Sequence, residues 1–284
     1  MPVSSSASSG STSSSAPASG DPSATFGAVV AELRAGGCVF AEDEARLLIA
    51  AADTPDRLGA LVRRRVDGLP LEHLLGWAEF CGLRIAVGPG VFVPRRRTEF
   101  LAELGGRLAR PGSVVVDLCC GSGAVAAAVA EAVPGVVLHA ADVEPEAVRW
   151  ARHNVAARGG HVHEGDLYAA LPVELRGRID VLVVNAPYVP TGSIGLMPPE
   201  ARDHEPRVAL DGGVDGLDVQ RRVTAEAPNW LAPGGSLLIE TGERQAEHTL
   251  AAMTAAGFDS RVEYCEELWA TVLVGTAGGA DEQS

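Results

Sequence analysis

The sequence predicts an α/β protein: a mostly parallel sheet of seven strands, one of them reversed, preceded by a small helical domain. Three observations predict it. From residue 114 onward, short apolar runs alternate with helix-length amphipathic segments, the pattern of a parallel sheet wrapped by helices. The last two strand-like runs, 261–266 and 268–274, stand too close for a crossover helix, so that pair must be antiparallel. Ahead of all of them, residues 25–78 carry helical periodicity instead of alternation.

The elements follow in order. The opening MPVSSSASSGSTSSSAPASGDPSA is Ser, Ala and Gly with almost no charge, so residues 1–24 are expected to be a disordered tail with nothing to bury. It lacks the basic and apolar regions of a secretory signal, and no apolar run of about 18 residues follows anywhere to span a membrane. Phe26, Val29, Val30 and Leu33 fall at i, i+3, i+4 and i+7, and Gly36-Gly37 stops that helix. A second helix is expected over 41–52, and Thr54-Pro55 opens a third, with Thr as cap and Pro in the first turn. Between 80 and 93, two apolar runs around Gly88-Pro89-Gly90 read as a β-hairpin, placing a linker at 79–95. The sheet domain then occupies 96–275, with strands at 114–118, 137–142, 161–163, 179–184 and 236–240 before the final pair. Helices are expected near 123–133 and 145–157, the second opened by Glu144-Pro145 and closed by Gly159-Gly160. Residues 276–284 are expected to be a second disordered tail.

Composition narrows the function. A chain of 284 residues, 46% hydrophobic and 21% charged, has enough apolar mass for one large core and a small accessory domain. Its formal charge of −14 argues against gripping nucleic acid through a general positive field. Five cysteines (Cys38, Cys81, Cys119, Cys120, Cys265), without a CxxC spacing, suggest neither a disulfide framework nor a zinc site, and point to a reducing cytoplasm. His161 and His163 alternate on a predicted strand and share a face, but with no third ligand in view they read as ordinary strand residues, and no metal is expected.

Chemistry concentrates at strand ends. VVVDLCCGSGAVAAAVA, from Val114, is a strand, a Gly-rich turn and a helix, in which Gly121 and Gly123 allow backbone to approach a ligand. Alone it is ambiguous, because it also satisfies the loose dinucleotide-binding pattern, and a tight turn can serve packing only. Asp117, four residues before Gly121, would repel a pyrophosphate and suits a cationic amino acid such as that of S-adenosylmethionine. Asp142, nineteen residues past Gly123 at the next strand end, is placed to accept ribose hydroxyls. After the third strand, Asp166 can accept an adenine amino group while Leu167 packs on the ring.

The strand VLVV then ends on Asn185-Ala186-Pro187-Tyr188. An amide nitrogen is a poor nucleophile because its lone pair is delocalised. The Asn185 side-chain carbonyl and the Ala186 backbone carbonyl can each accept one N–H of a planar NH₂ and turn that lone pair toward a methyl donor. Tyr188 would stack on the target group and Pro187 would stiffen the turn.

This tetrapeptide resembles the (D/N)PPY motif of amino-methyltransferases, and the chain resembles the HemK/PrmC family, protein-(glutamine-N5) methyltransferases that act on peptide-chain release factors. The likeness runs from residue 26 on, through Pro70 to Gly76, Glu79-Phe80-Cys81-Gly82, Val93-Pro94-Arg95-Arg96-Arg97-Thr98-Glu99 against IPRPxTE, Glu205-Pro206, Ala209-Leu210, Gly213 and Asp215-Gly216-Leu217. It implies a class I S-adenosylmethionine-dependent methyltransferase domain and a helical domain that recognises a protein with an exposed glutamine. Asp117, Cys119, Gly121, Gly123, Asp142, Asp166, Leu167 and Asn185 would line the cofactor, and Asn185 to Tyr188 the glutamine amide. The chain departs from the family at Ala186, which replaces a Pro and is expected to loosen the loop. Arg96 and Arg97 replace the usual Pro and acidic residue, and Cys119-Cys120 stand where small residues are usual. Two other readings remain: an adenine N6 methyltransferase, since the same motif can orient a flipped base's NH₂, and a catalytically idle binding module.

Overall fold

A computed structural model describes residues 22–278. The expected tails lie mostly outside them, at 1–21 and 279–284, but Pro22 already opens a helix and Thr276 still belongs to a strand. The chain divides into two compact units, 1–66 and 67–284.

The first unit holds α1 (Pro22–Ala35), α2 (Ala41–Ala51) and α3 (Pro55–Val66). Their apolar stripes meet, burying Val29, Val30 and Leu33 of α1 against Ala45 and Leu48 of α2 and Leu61 and Val62 of α3. Phe26 is only half-buried and lies under the Arg46 guanidinium, 5.5 Å from the ring centroid. The Thr54 hydroxyl accepts the Arg57 amide at 3.2 Å, capping α3 as its sequence predicts. Glu44 and Arg65 form a buried ion pair, with Arg65 Nε 2.6 Å from Glu44 Oε2.

The second unit begins with α4 (Leu71–Leu75) and a hairpin of β1 (Trp77–Phe80) and β2 (Leu83–Ala86). The helical domain was expected to run to residue 78; α4 instead packs on β1, and His73 Nε2 meets the Val91 carbonyl at 3.1 Å. The hairpin also turns elsewhere than expected, at Cys81-Gly82, not at Gly88-Pro89-Gly90. One two-residue turn that suits the twist of such strands takes positive φ at both positions, and Cys81 (50°) and Gly82 (72°) supply it. Gly88 serves packing, since a Cβ there would lie 2.3 Å from the Trp150 ring.

The remaining elements are α5 (Glu99–Leu108), β3 (Val114–Leu118), α6 (Ala124–Ala132), β4 (Val137–Asp142), α7 (Pro145–Ala156), β5 (His161–Glu164), β6 (Ile179–Val184), α8 (Pro199–His204), α9 (Asp218–Glu226), β7 (Leu231–Thr241), α10 (Ala246–Ala255), β8 (Asp259–Cys265) and β9 (Ala270–Thr276). Seven strands form one sheet in the order β5-β4-β3-β6-β7-β9-β8, and β9 alone runs against the others. Alternate residues feed two cores. Val115, Val181, Val183 and Leu238 pack on one face with α5, α6 and α7, while Val116, Leu118, Leu182, Val184 and Ile239 pack on the other against residues of α9 and α10. The order reverses between β3 and β6, so the C-terminal ends of those two strands open onto a crevice, the place where open α/β sheets bind ligands. No described helix is long and apolar enough to cross a membrane.

Candidate active site

At that crevice lies a cavity of about 470 Å³, built wholly from the second unit. Ten of the predicted site positions line it: Asp117, Cys119, Gly121, Asp142, Asp166, Leu167, Asn185, Ala186, Pro187 and Tyr188. Gly123 does not. It caps α6 with φ 75°, and a Cβ there would come within 2.8 Å of Val155 Cγ2 and 3.3 Å of Ala151, so its lack of a side chain lets α6 pack on α7. At Gly121, by contrast, φ is 54° and a Cβ would face open space, with no atom beyond its chain neighbours within 4 Å.

The acidic strand ends differ in chemistry. Asp117, 1% exposed, accepts the Ala126 amide of α6 at 3.0 Å. Burial pushes its carboxyl up to about 7, against the pull of that amide and with a further rise from Asp142. Asp142 accepts the Gly121 amide at 2.8 Å on Oδ2 and the Glu144 amide at 2.9 Å on Oδ1, which fixes the carboxylate in plane and leaves each oxygen a further lone pair. Burial raises its pKa and those backbone amides oppose the rise. Asp166 is more exposed and pairs with Arg222 Nη2 at 2.6 Å, a partner on α9 that sequence order does not reveal. A ligand amine would share the carboxylate with that guanidinium. Leu167 follows with φ 49°, an αL position that brings its buried side chain to the cavity wall. Cys119 also sits at positive φ (57°), and burial holds both the Cys119 and Cys120 thiols well above their ordinary pKa, so neither supplies a thiolate.

On the other half of the cavity, Asn185 Nδ2 donates to Thr98 Oγ1 at 3.2 Å, which leaves Oδ1 as the end of the amide open to the cavity. The Tyr188 hydroxyl donates to Glu240 Oε1 at 3.3 Å. Burial pushes that hydroxyl up to about 12, and the neighbouring Glu240 adds to the rise, so the phenol stays protonated. Beyond Ala186 the loop is braced. Val189 exchanges backbone hydrogen bonds with Leu210 and Gly212 at 3.0 and 2.9 Å, and Gln245 Nε2 donates to the Tyr188 carbonyl at 3.0 Å. Gly212 and Gly216 let this brace approach, because Cβ atoms there would lie 2.6 Å from the Pro187 carbonyl oxygen and 2.3 Å from that of Tyr188. Glu205, whose side chain is 1% exposed, joins the 93–95 segment to α8 by accepting the Val93 amide at 3.1 Å and Arg95 Nη2 at 2.6 Å. Thr98 and Glu205 stand in motifs the sequence already offered; Glu240 and Gln245 follow the apolar run of β7 with no signal of their own.

His161 and His163 do share a face of β5, and His139 of β4 lies between them, with its Nδ1 3.0 Å from His163 Nε2. Among the described residues no group of three or more His, Cys, Asp or Glu is arranged to hold a metal ion.

The fold and this cleft together are those of a class I methyltransferase. Residues 83–195 match the family described as "Methyltransferase small domain". A solved methyltransferase from Pyrococcus furiosus shares the fold, with a TM-score of 0.53 over 69% of this chain and 90% of that one at 18% identity. More particularly, the chain is 40% identical to the release factor glutamine methyltransferase of Geobacter sulfurreducens over 72% of each chain, and 38% identical to the 4-amino-L-phenylalanine/4-methylamino-L-phenylalanine methyltransferase of Streptomyces pristinaespiralis over 73% of this chain and of that one. The chain belongs to the release factor glutamine methyltransferase family.

Proposed function

We propose that this enzyme transfers the methyl group of S-adenosylmethionine to the side-chain amide nitrogen of a glutamine in a peptide-chain release factor. The observation that carries the proposal is the polarity of Asn185: with Nδ2 committed to Thr98, an acceptor and not a donor meets the substrate. A planar NH₂ held by Asn185 Oδ1 and the Ala186 carbonyl has both protons occupied, so its lone pair can point only out of the plane they define. As the new N–C bond forms the nitrogen becomes cationic, and one of its protons is then acidic enough to leave without a strong base.

The cleft fits the cofactor. Asp117 would hold its ammonium, Asp142 its ribose hydroxyls, and Asp166 with Leu167 its adenine, while Gly121 leaves room for the chain between them. When bound, it supplies an electrophilic methyl on a sulfonium. The three-helix unit would recognise the protein substrate, in the cytoplasm where release factors work and where thiols stay reduced.

A second reading is favoured by Arg97, an exposed cation lining the cavity, and by the relative named for 4-amino-L-phenylalanine. An arylamine is also a planar, conjugated NH₂, and a small substrate's carboxylate would suit Arg97. One experiment separates the readings: incubate the full chain with labelled S-adenosylmethionine and either a release factor or 4-amino-L-phenylalanine, and locate the label by mass spectrometry. Label on a release-factor glutamine, lost in Asn185→Ala by about 10²- to 10³-fold in kcat, supports the first. Label only on the arylamine supports the second, and an Asn185→Ala enzyme working within about threefold of wild type would refute the amide-orienting role altogether.

A further inference from the structure

Both ends of the Asn185–Tyr188 motif run to one buried carboxyl that does not line the cavity. Glu240, at the end of β7 and 1% exposed, receives the Tyr188 hydroxyl on Oε1 at 3.3 Å. Its Oε2 is buried with no hydrogen-bond partner among the described residues. Thr98, 3% exposed, lies beside the same carboxyl, which its hydroxyl stabilises, and its Oγ1 also receives Asn185 Nδ2 at 3.2 Å. A hydroxyl has one proton to give, and its direction follows its neighbours.

We infer that Glu240 is a positioning residue whose negative charge selects the working orientation of the Asn185 amide through Thr98. A carboxylate accepts only. It therefore turns the Thr98 proton toward itself, and the Thr98 oxygen is left able only to accept, which calls for the Nδ2 end of Asn185 and presents Oδ1 to the substrate. A protonated Glu240 reverses the chain. It donates to Thr98, whose own proton is then free to bond the Asn185 carbonyl, and the flipped amide presents an NH₂ that repels the substrate's NH₂. The same charge holds the Tyr188 hydroxyl, so both walls of the amide site depend on one group. The network gains and loses no proton during turnover; it sets a direction.

The surroundings favour control by pH. Burial raises the Glu240 carboxyl above the ordinary carboxylate range, opposed by the Thr98 hydroxyl, the Arg97 guanidinium and the Tyr188 hydroxyl. Arg95, like Arg97, opposes the rise at the Tyr188 hydroxyl. From α9, the neutral Gln220 donates to the Glu240 backbone carbonyl at 3.3 Å and to Thr241 Oγ1 at 3.2 Å. Protonation, and with it loss of the working orientation, should therefore come at a pH above that of an exposed glutamate.

The inference rests on the methyl-transfer reading, so the experiment has an arm that does not need turnover. In protein labelled with ¹⁵N at asparagine side chains, the Asn185 NH₂ resonances, assigned by their loss in Asn185→Asp, are followed as pH falls from 8 to 5. The expected result is a single titration that disappears in Glu240→Gln and Thr98→Val and persists in Thr98→Ser. In the second arm, Glu240→Gln and Thr98→Val should lower kcat for the accepted substrate by about 10- to 100-fold with little change in the KM for the cofactor, and should abolish the acid limb of the kcat profile. Asn185 resonances that do not respond to pH, or that respond identically in Glu240→Gln, would overturn the inference. If the titration behaves as expected but no glutamine is methylated, the orientation stands and the substrate reading falls.

Discussion

Asp117 gives the sharpest quantitative test of the cofactor assignment, because its pKa lies where binding can be measured. In the ligand-free protein burial holds it at about 7. A ligand ammonium needs the carboxylate, so binding below pH 7 must first expel a proton. The carboxylate fraction is about one half at pH 7 and about one hundredth at pH 5, so affinity should weaken about 50-fold over that interval, or about 2.3 kcal/mol at ~1.36 kcal/mol per unit. Above about pH 7.8 the ligand's own α-amino group begins to lose its proton, so affinity should peak between about 7 and 8. Calorimetry with S-adenosylhomocysteine in two buffers of different ionisation heat should find about one proton released per site near pH 6. Asp117→Asn keeps an oxygen for the Ala126 amide, removes the titration, and should bind weakly with no slope between pH 5 and 7. In the ligand-free enzyme the sign reverses. A folded-state pKa above the unfolded value near 3.8 gives stability that is complete below 3.8 and lost as pH rises to about 7, on the order of 4 kcal/mol at most. Asp117→Asn should then be the more stable protein at pH 8. A wild-type affinity that is flat from pH 5 to 7, with no proton release, would refute the role of Asp117 as the ammonium's partner.

Arg95→Ala strips the buried Glu205 carboxylate of its only described cation and should cost about 3 kcal/mol in urea unfolding, toward the lower end for a broken buried pair because Arg95 is itself 33% exposed; a loss under about 1 kcal/mol would show that the Val93 amide suffices. His139 is held neutral to about pH 4, first by burial and then by His163 and His161, against about 6.5 when unfolded. Its contribution is present above pH 6.5 and lost as pH falls to 4, on the order of 1–3 kcal/mol, so a His139→Gln protein should show a flatter acid side in its stability profile, and an unchanged slope would count against it. Gly216→Ala would place a Cβ 2.3 Å from the Tyr188 carbonyl oxygen at φ 80°, and should lower kcat while leaving S-adenosylhomocysteine affinity within about twofold; equal loss of both would mean that the brace supports the whole domain.

The sheet was legible where strands are buried on both faces. VVVDL, VLHAAD and IDVLVV announce themselves as short apolar runs, and their ends carry Asp117, Asp142 and Asn185, so the sheet and the lining of the candidate site are written in the same residues. The hairpin misleads because Gly88-Pro89-Gly90 is the denser turn signal, whereas Cys81, ahead of Gly82, takes a positive φ that its side chain gives no reason to expect. Gly121 and Gly123 look alike in sequence and differ only in what stands opposite: open space in one case and Val155 of α7 in the other. Glu240 and Arg222 were invisible for the same reason, since both act on residues more than fifty positions away.

The division of labour in the cleft also says where specificity must reside. In the proposed role, Asn185, Ala186 and Tyr188 define a plane and a polarity, and any conjugated NH₂ would satisfy both, whether it belongs to a carboxamide, an arylamine or a base. Discrimination among these has to come from what surrounds the amine, and there the cavity is built from the 91–98 segment and from 197–210. That rim combines Phe92, Met197 and Val208 with Arg95 and Arg97, of which Arg95 is already bound to Glu205. Arg97 makes no such ion pair among the described residues and is exposed. Its charge therefore bears on which substrate enters, while Glu240 and Thr98 bear on how the amine is held once there, and substitutions in the two groups should separate KM for the methyl acceptor from kcat.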